Sequence, residues 1–327
     1  MKTRIFFGMA IASLFLLVLF SGCSSKRQVG LLMDSFAQER WAKDKQIFEK
    51  RIKELSGQLL FDTANGNPDR QFEQARKLLE SGVDVLVIVP VDQYQAGKIV
   101  KLAHKHGVPV ISYDRLIRNC DLDFYISFDN LEIGQLQAEY LTRVCPKGKY
   151  AIISGPTSDH NSMMIKTGQL NVLGPYIDRG DIRVVFDKFV SRWDKEEGYR
   201  LMKECLKQNP DINAVLVAND DLATGVVNAL EEKNLAGKVW VSGQDADRLA
   251  CERIMAGKQV MTVYKPIENL ATSAAELAMK VAQKSPVPSL NMSINNGMYM
   301  VPALLLQPNV VNKETIKLTI VPDSTIK

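Results

Sequence analysis

From Val29 onward the chain repeats one unit, a short β-branched apolar run followed by a longer amphipathic stretch. That alternation constrains the fold more than any single residue, because strands alternating with helices build a parallel sheet with helices on its faces. Strands are expected at residues 29–33, 59–62, 83–89 and 108–112, with helices at 39–55, 70–80 and 94–106 between them. The run 83–89 is apolar apart from Asp84, as a strand covered on both faces must be. Gly107 stands where a helix C-cap needs it. After a strand at 124–128 the rhythm restarts. Helices are expected at 130–144, 161–176, 195–207, 222–232 and 246–256, and strands at 150–154, 182–186, 214–217, 239–241 and 260–263. No glycine-serine linker separates the halves, so the sheet strands themselves must cross between them. The fold class is α/β, with two doubly wound parallel-sheet lobes joined by a multi-strand hinge. Residues 29–128 with 266–290 are assigned to the first lobe, and 129–265 with 291–327 to the second.

The start of the chain sets the compartment. An apolar run at 11–20, broken only by Ser13, ends in Ser21-Gly22-Cys23, with Lys2 and Arg4 the only charges before it. Small residues before a cysteine suit a lipoprotein signal peptide, and the run is short of the ~20 residues a spanning helix needs. Residues 1–22 read as the signal, Cys23 as the lipidated residue and 23–28 as a tether. The body is then held at the cell envelope, facing the periplasm or the outer side of the cytoplasmic membrane. The whole chain's hydrophobic content of 46% and charged content of 24% support ordinary cores and surfaces. The net charge of +4 comes from interspersed residues rather than a basic stripe, so no nucleic acid is expected. Cys120, Cys145, Cys205 and Cys251 match no zinc spacing and read as isolated buried thiols, with any disulfide pairing left open. His104 and His106 fall in a basic helix end, and His160 in a loop.

In open parallel sheets, ligands bind beyond the carboxyl ends of the strands. The residues that follow each apolar run are Arg40, Trp41, Asp114, Arg115, Asn161, Trp193, Asn219, Asp245 and Lys265, with Phe36 a weaker candidate. Together they hold carboxylates, cations, carboxamides and two indoles, but no nucleophile–base pair and no metal cluster. An Asp accepts from vicinal hydroxyls, Arg and Lys donate to hydroxyl and ring oxygens, and an indole covers the C–H face of a pyranose. The charges of Arg40, Arg115, Lys265, Asp114 and Asp245 leave one net positive, which suits an uncharged ligand. Some of these residues have structural competitors. Either Asn219 or Asp220 caps the helix that follows, Asp247 is the better cap for its own helix, and Trp41 also fits a buried helix face.

The stretches Glu39-Arg40-Trp41, 64–67 (Ala-Asn-Gly-Asn), 82–88, Tyr113-Asp114-Arg115, 123–130, 242–247 (Ser-Gly-Gln-Asp-Ala-Asp) and 262–267 (Thr-Val-Tyr-Lys-Pro-Ile) resemble the D-xylose-binding family of bacterial ABC sugar transporters. The match runs in order from Val29 to Pro308. The resemblance implies a type I periplasmic-binding-protein fold, with three crossovers and a sugar clamped between the lobes. It carries the family's pocket onto Arg40, Trp41, Asp114, Arg115, Asn161, Trp193, Asn219, Asp245 and Lys265. The segments 35–38 and 158–160 depart from the family beside that pocket.

The expected protein is therefore a non-enzymatic, monomeric, lipid-anchored receptor without cofactor or metal. It captures a monosaccharide, D-xylose first, by hinge closure and delivers it to an ABC permease. The alternative is a sugar sensor that passes its closed form to a membrane sensor kinase or chemoreceptor. An enzyme using Asp114 and Asp245 as an acid/base pair is disfavoured, because both carboxylates face cations that hold them ionised. A transcription-factor core of the same fold lacks room ahead of Val29 for a helix-turn-helix.

Overall fold

The computed structural model describes residues 26–37, 39–287 and 290–319. The expected signal peptide and the lipidation at Cys23 lie outside the described residues. Its first eight elements are β1 (Gln28–Met33), α1 (Glu39–Glu54), β2 (Gln58–Thr63), α2 (Pro68–Glu80), β3 (Val85–Ile88), α3 (Gly97–Lys105), β4 (Val110–Tyr113) and β5 (Phe124–Phe128). They wind into a parallel sheet in which β1 lies between β2 and β3, with Leu31 opposite both Phe61 and Val87. All four residues of β3 are buried, because helices cover both faces of a central parallel strand. Helix α3 begins later than the apolar pattern suggests. Asp92 Oδ1 accepts from the N–H groups of Tyr94 and Gln95, which closes a turn there first.

The chain then enters the second lobe through α4 (Asn130–Val144), β6 (Gly148–Ser154), α5 (His160–Asp178), β7 (Ile182–Phe189), α6 (Lys195–Gln208), β8 (Ala214–Val217), α7 (Asp220–Glu231), β9 (Trp240–Val241), α8 (Arg248–Met255) and β10 (Met261–Tyr264). The sheet order is β7-β6-β8-β9. Strand β10 extends it, since Val260 N–H donates to Val241 O at 3.0 Å and Val263 N–H to Gly243 O at 3.1 Å. Two helix pairs cross at glycines. A Cβ on Gly168 would stand 2.1 Å from Leu131 O, and one on Gly225 would stand 1.8 Å from Lys195 O. Backbone therefore meets backbone where α4 packs on α5 and where α6 packs on α7.

Helix α9 (Ile267–Ala282) returns to the first lobe and packs on α1, where Arg51 Nη2 meets Glu276 Oε1 at 2.6 Å. The next two strands correct the assignment of 291–327 to the second lobe. Strands β11 (Met292–Asn295) and β12 (Met300–Leu306) join the first sheet, giving the order β11-β12-β5-β4-β3-β1-β2. Ala303 to Leu306 run parallel to Tyr125 to Phe128. Val301, Ala303 and Leu305 are buried in the helix layer of that lobe, and this edge is where the alternation finds cover. Only the last elements lie in the second lobe. β13 (Asn309–Asn312) pairs antiparallel with β10, and α10 (Ile316–Thr319) comes after it. The chain thus crosses between lobes three times, at 128–130, 264–267 and 306–309.

Cys120, Cys145, Cys205 and Cys251 are free and buried. Burial, with acidic neighbours, pushes Cys120 and Cys205 up to about 12, so both are unreactive thiols. His104 is more than a solvated helix end, because its Nε2 lies 2.8 Å from Asp123 Oδ2.

Candidate functional site

The first lobe contributes a plate of interlocked charges. Arg40, in the first turn of α1, places Nη2 2.9 Å from Asp114 Oδ2, Nε 3.3 Å from Asp44 Oδ2 and Nη1 3.5 Å from Asp245 Oδ1. Its guanidinium lies 4.3 Å from the centre of the Trp41 ring, and that of Arg115 lies 5.6 Å away. Asp44 is buried and also accepts from the Tyr113 hydroxyl. Asp114 follows β4 with φ at 63°, a left-handed conformation that costs a β-substituted residue energy. Its carbonyl is held there by Ser127 Oγ at 2.6 Å, Tyr125 Oη at 3.1 Å and Asn161 Nδ2 at 3.2 Å. Arg115 reaches Asp34 Oδ2 at 2.7 Å and, across the cleft, Asp159 Oδ2 at 2.9 Å.

The second lobe supplies its groups mostly from helix starts. Asp159 caps α5 by accepting from Asn161 N–H at 2.9 Å, and its other oxygen accepts from Trp193 Nε1 at 3.1 Å. Trp193 fits only because residue 155 is glycine, where a Cβ would stand 2.1 Å from the indole. Asn219, not Asp220, caps α7, accepting from Leu222 N–H at 3.0 Å. Asp247 caps α8, as expected. Asp245 and Ala246 have φ of 99° and 53°, which is why α8 starts only at Arg248. Lys265, at the second crossover, holds its Nζ 2.9 Å from Asp245 Oδ1.

Arg40, Trp41, Asp114, Arg115, Asn161, Trp193, Asn219, Asp245 and Lys265 all line one cavity between the lobes. Asp159, Ile165 and Gln244 line it too and escaped sequence reasoning. Ile165 stands one helical turn beyond Asn161 on α5, and that spacing was the available signal. Asp159 and Gln244 each precede a chosen residue by one or two positions, and nothing in the sequence ranks them above a cap. Among the described residues, Asn161 Oδ1 and Gln244 Oε1 are buried acceptors that no protein donor reaches. Phe36 is outside this cavity. It is 42% exposed in a groove at the cleft mouth, stacked on Phe61 at 5.7 Å. His160 is the first residue of α5 rather than a loop residue, with Nδ1 3.4 Å from Arg118 Nη1.

The electrostatics follow from burial and pairing. Burial alone would raise the Asp114 carboxyl, but Arg40, Lys265 and Arg115 outweigh it and hold the group below the usual carboxylate range. Asp245 behaves alike, with Lys265 and Arg40 overcoming burial. Asp159 stays raised, because Arg115 offsets its burial only in part. The cavity therefore presents ionised acceptors and permanent donors that neutralise one another, beside two indole faces.

Two α/β lobes, three crossovers and a polar cavity between them define a type I solute-binding architecture. Residues 29–286 match the model of the periplasmic binding protein domain, and the chain belongs to that family, whose members bind solutes rather than transform them. It is 42% identical over 297 residues to a D-xylose-binding periplasmic protein of Escherichia coli strain K12, covering 90% of each chain. The D-xylose-binding periplasmic protein of Haemophilus influenzae is 40% identical, with 93% of this chain and 91% of the relative covered. Among solved structures, a carbohydrate transporter solute-binding protein from Chloroflexus aurantiacus in complex with D-glucose superposes with a TM-score of 0.85. It is 25% identical, with 92% of this chain and 98% of that one covered.

Proposed function

We propose that this protein captures a monosaccharide, D-xylose, by closure of its two lobes and hands the closed form to an ABC-type permease. The observation that carries the reading is the buried charge cluster that spans the cleft. Arg40 and Lys265 face Asp114 and Asp245, and Asp245 comes from the opposite lobe to Arg40. Such a cluster is self-neutralising, so an uncharged ligand whose hydroxyls both donate and accept can enter between its members without leaving a net buried charge. The open acceptors Asn161 Oδ1 and Gln244 Oε1 suit hydroxyl donors. The D-xylose-binding relatives supply the choice among sugars.

A pentose has ~10 non-hydrogen atoms. A micromolar Kd, about −8.2 kcal/mol, asks ~0.8 kcal/mol of each, below the ceiling near 1.5 kcal/mol for very small ligands. Calorimetric titration of the body after Cys23 with xylose, ribose, arabinose, glucose and galactose tests this. Tight binding of xylose alone is expected, and no binding of any sugar overturns it. The Ser21-Gly22-Cys23 sequence supports attachment of the body to a membrane through a lipid on Cys23. Labelled fatty acid is expected to enter the wild type and not Cys23→Ser, and equal labelling of both would refute the anchor.

A further inference from the structure

Resting on the sugar-binding reading, we infer that Asp220 is the residue that positions the ligand carboxylate of Asp245. Asp220 lies outside the cavity lining, is fully buried, and opens α7 directly after Asn219. Three donors converge on its carboxylate. Gln259 Nε2 reaches Oδ1 at 2.8 Å, while Thr262 Oγ1 at 2.8 Å and Asp247 N–H at 3.3 Å reach Oδ2. Its own N–H donates to Gln244 O at 2.9 Å. One residue thus grips the loop 243–247 at both ends, before and after Asp245.

The surroundings are built for this grip. Arg253 Nε donates to Gln259 Oε1 at 2.9 Å, which turns the amide so that its NH₂ faces Asp220. Thr262 Oγ1 also accepts from Ala246 N–H at 3.3 Å, so the same hydroxyl ties the carboxylate to the loop. Gly243 leaves the space. A Cβ there would stand 1.9 Å from Asp220 Oδ1 and 2.5 Å from Gln259 Nε2. The loop needs such anchoring, because Asp245 and Ala246 both hold left-handed backbone that they would leave if released. Asp245 must keep that conformation to meet Lys265 and Arg40 from its side of the cleft.

The test is a double-mutant cycle with Asp220→Asn and Asp245→Asn, read by D-xylose titration and by amide hydrogen exchange. An amide sets its NH₂ against either Gln259 Nε2 or the Thr262 and Asp247 donors, so the side chain's hold on the loop weakens while the packing and the backbone bond to Gln244 O stay. Asp220→Asn is expected to weaken binding about 10-fold or more, and to weaken it less than 2-fold further when Asp245→Asn is already present. Exchange of the Asp245 and Asp247 amides should rise at least 10-fold, with the β6 and β8 amides unchanged. Thr262→Val, which removes only the shared hydroxyl, should reproduce the pattern more weakly, and it carries the test if Asp220→Asn does not fold. Losses that multiply fully, or unchanged loop exchange, overturn the inference. If the wild type binds no sugar, the functional reading fails by itself, and the exchange result still decides whether Asp220 anchors the loop.

Discussion

The two lobes build their halves of the cleft by different means. In the first lobe, Arg40 and Arg115 are already fixed by carboxylates of that same lobe, Asp44 and Asp34, so its charged surface exists whether or not the cleft is shut. In the second lobe, Asp159 and Asn219 are helix caps whose remaining polar capacity faces the cavity, and Asp245 rides on a strained loop. The first lobe is a preorganised platform. The second depends on where its helices begin, and those starts are set by how the helices pack on one another. Closure joins the two through Arg40–Asp245, Arg115–Asp159 and Asn161–Asp114.

The difference breaks most visibly at Arg40. Arg40→Ala leaves Asp44, Asp114 and Asp245 without their shared cation. It is expected to abolish measurable sugar binding and to cost about 3–5 kcal/mol of stability by chemical denaturation. Next in size is the second lobe's packing. Gly225→Ala sets a methyl against Lys195 O and should cost about 1–3 kcal/mol, lowering Tm by several degrees. Because Asn219 and Trp193 stand at the ends of that helix pair, affinity should fall with it, whereas a destabilising change in the first lobe's core, the cavity-forming Ile99→Val, should lower Tm alone. Trp193→Ala should leave xylose binding within about 10-fold while bringing glucose close to it, if the indole occupies the space a hydroxymethyl group needs. Equal weakening of both sugars would show that the indole is only a wall.

The smallest effect concerns pH. Burial, together with Arg118, lowers His160 from 6.5 to about 4. A neutral imidazole is therefore kept in the folded, closed form, and its contribution is fully present above about 6.5. It is lost as pH falls toward about 4, where the released form takes up the proton more readily. His160→Asn is expected to flatten a few-fold loss of affinity over that range, and a profile identical to wild type would remove His160 from the closure contacts.

The alternation of apolar runs and amphipathic stretches made the α/β class and most elements legible, because burial on both faces of a parallel strand leaves a signature in consecutive residues. Arg40, Asp114 and Asn219 were legible for a related reason. A polar residue just after an apolar strand, or in the first turn of a helix, stands at the ligand end of any such sheet. The placement of β12 was not legible, since an apolar run says that it is buried and not beside which strand. Asp159 and Gln244 were not legible either, because a cap and a cavity wall look alike until the opposite lobe is in place.

Local pattern and residue chemistry were enough to specify the repeat, the fold class and nearly the whole set of cavity residues, and the resemblance of the motifs implied the family. Three-dimensional packing was needed to settle which sheet the last strands complete, which carboxylate serves which cation, and that the buried Asp220 grips the loop carrying Asp245. Those are contacts between residues far apart in the chain, and their energy depends on distance and burial that no local pattern records.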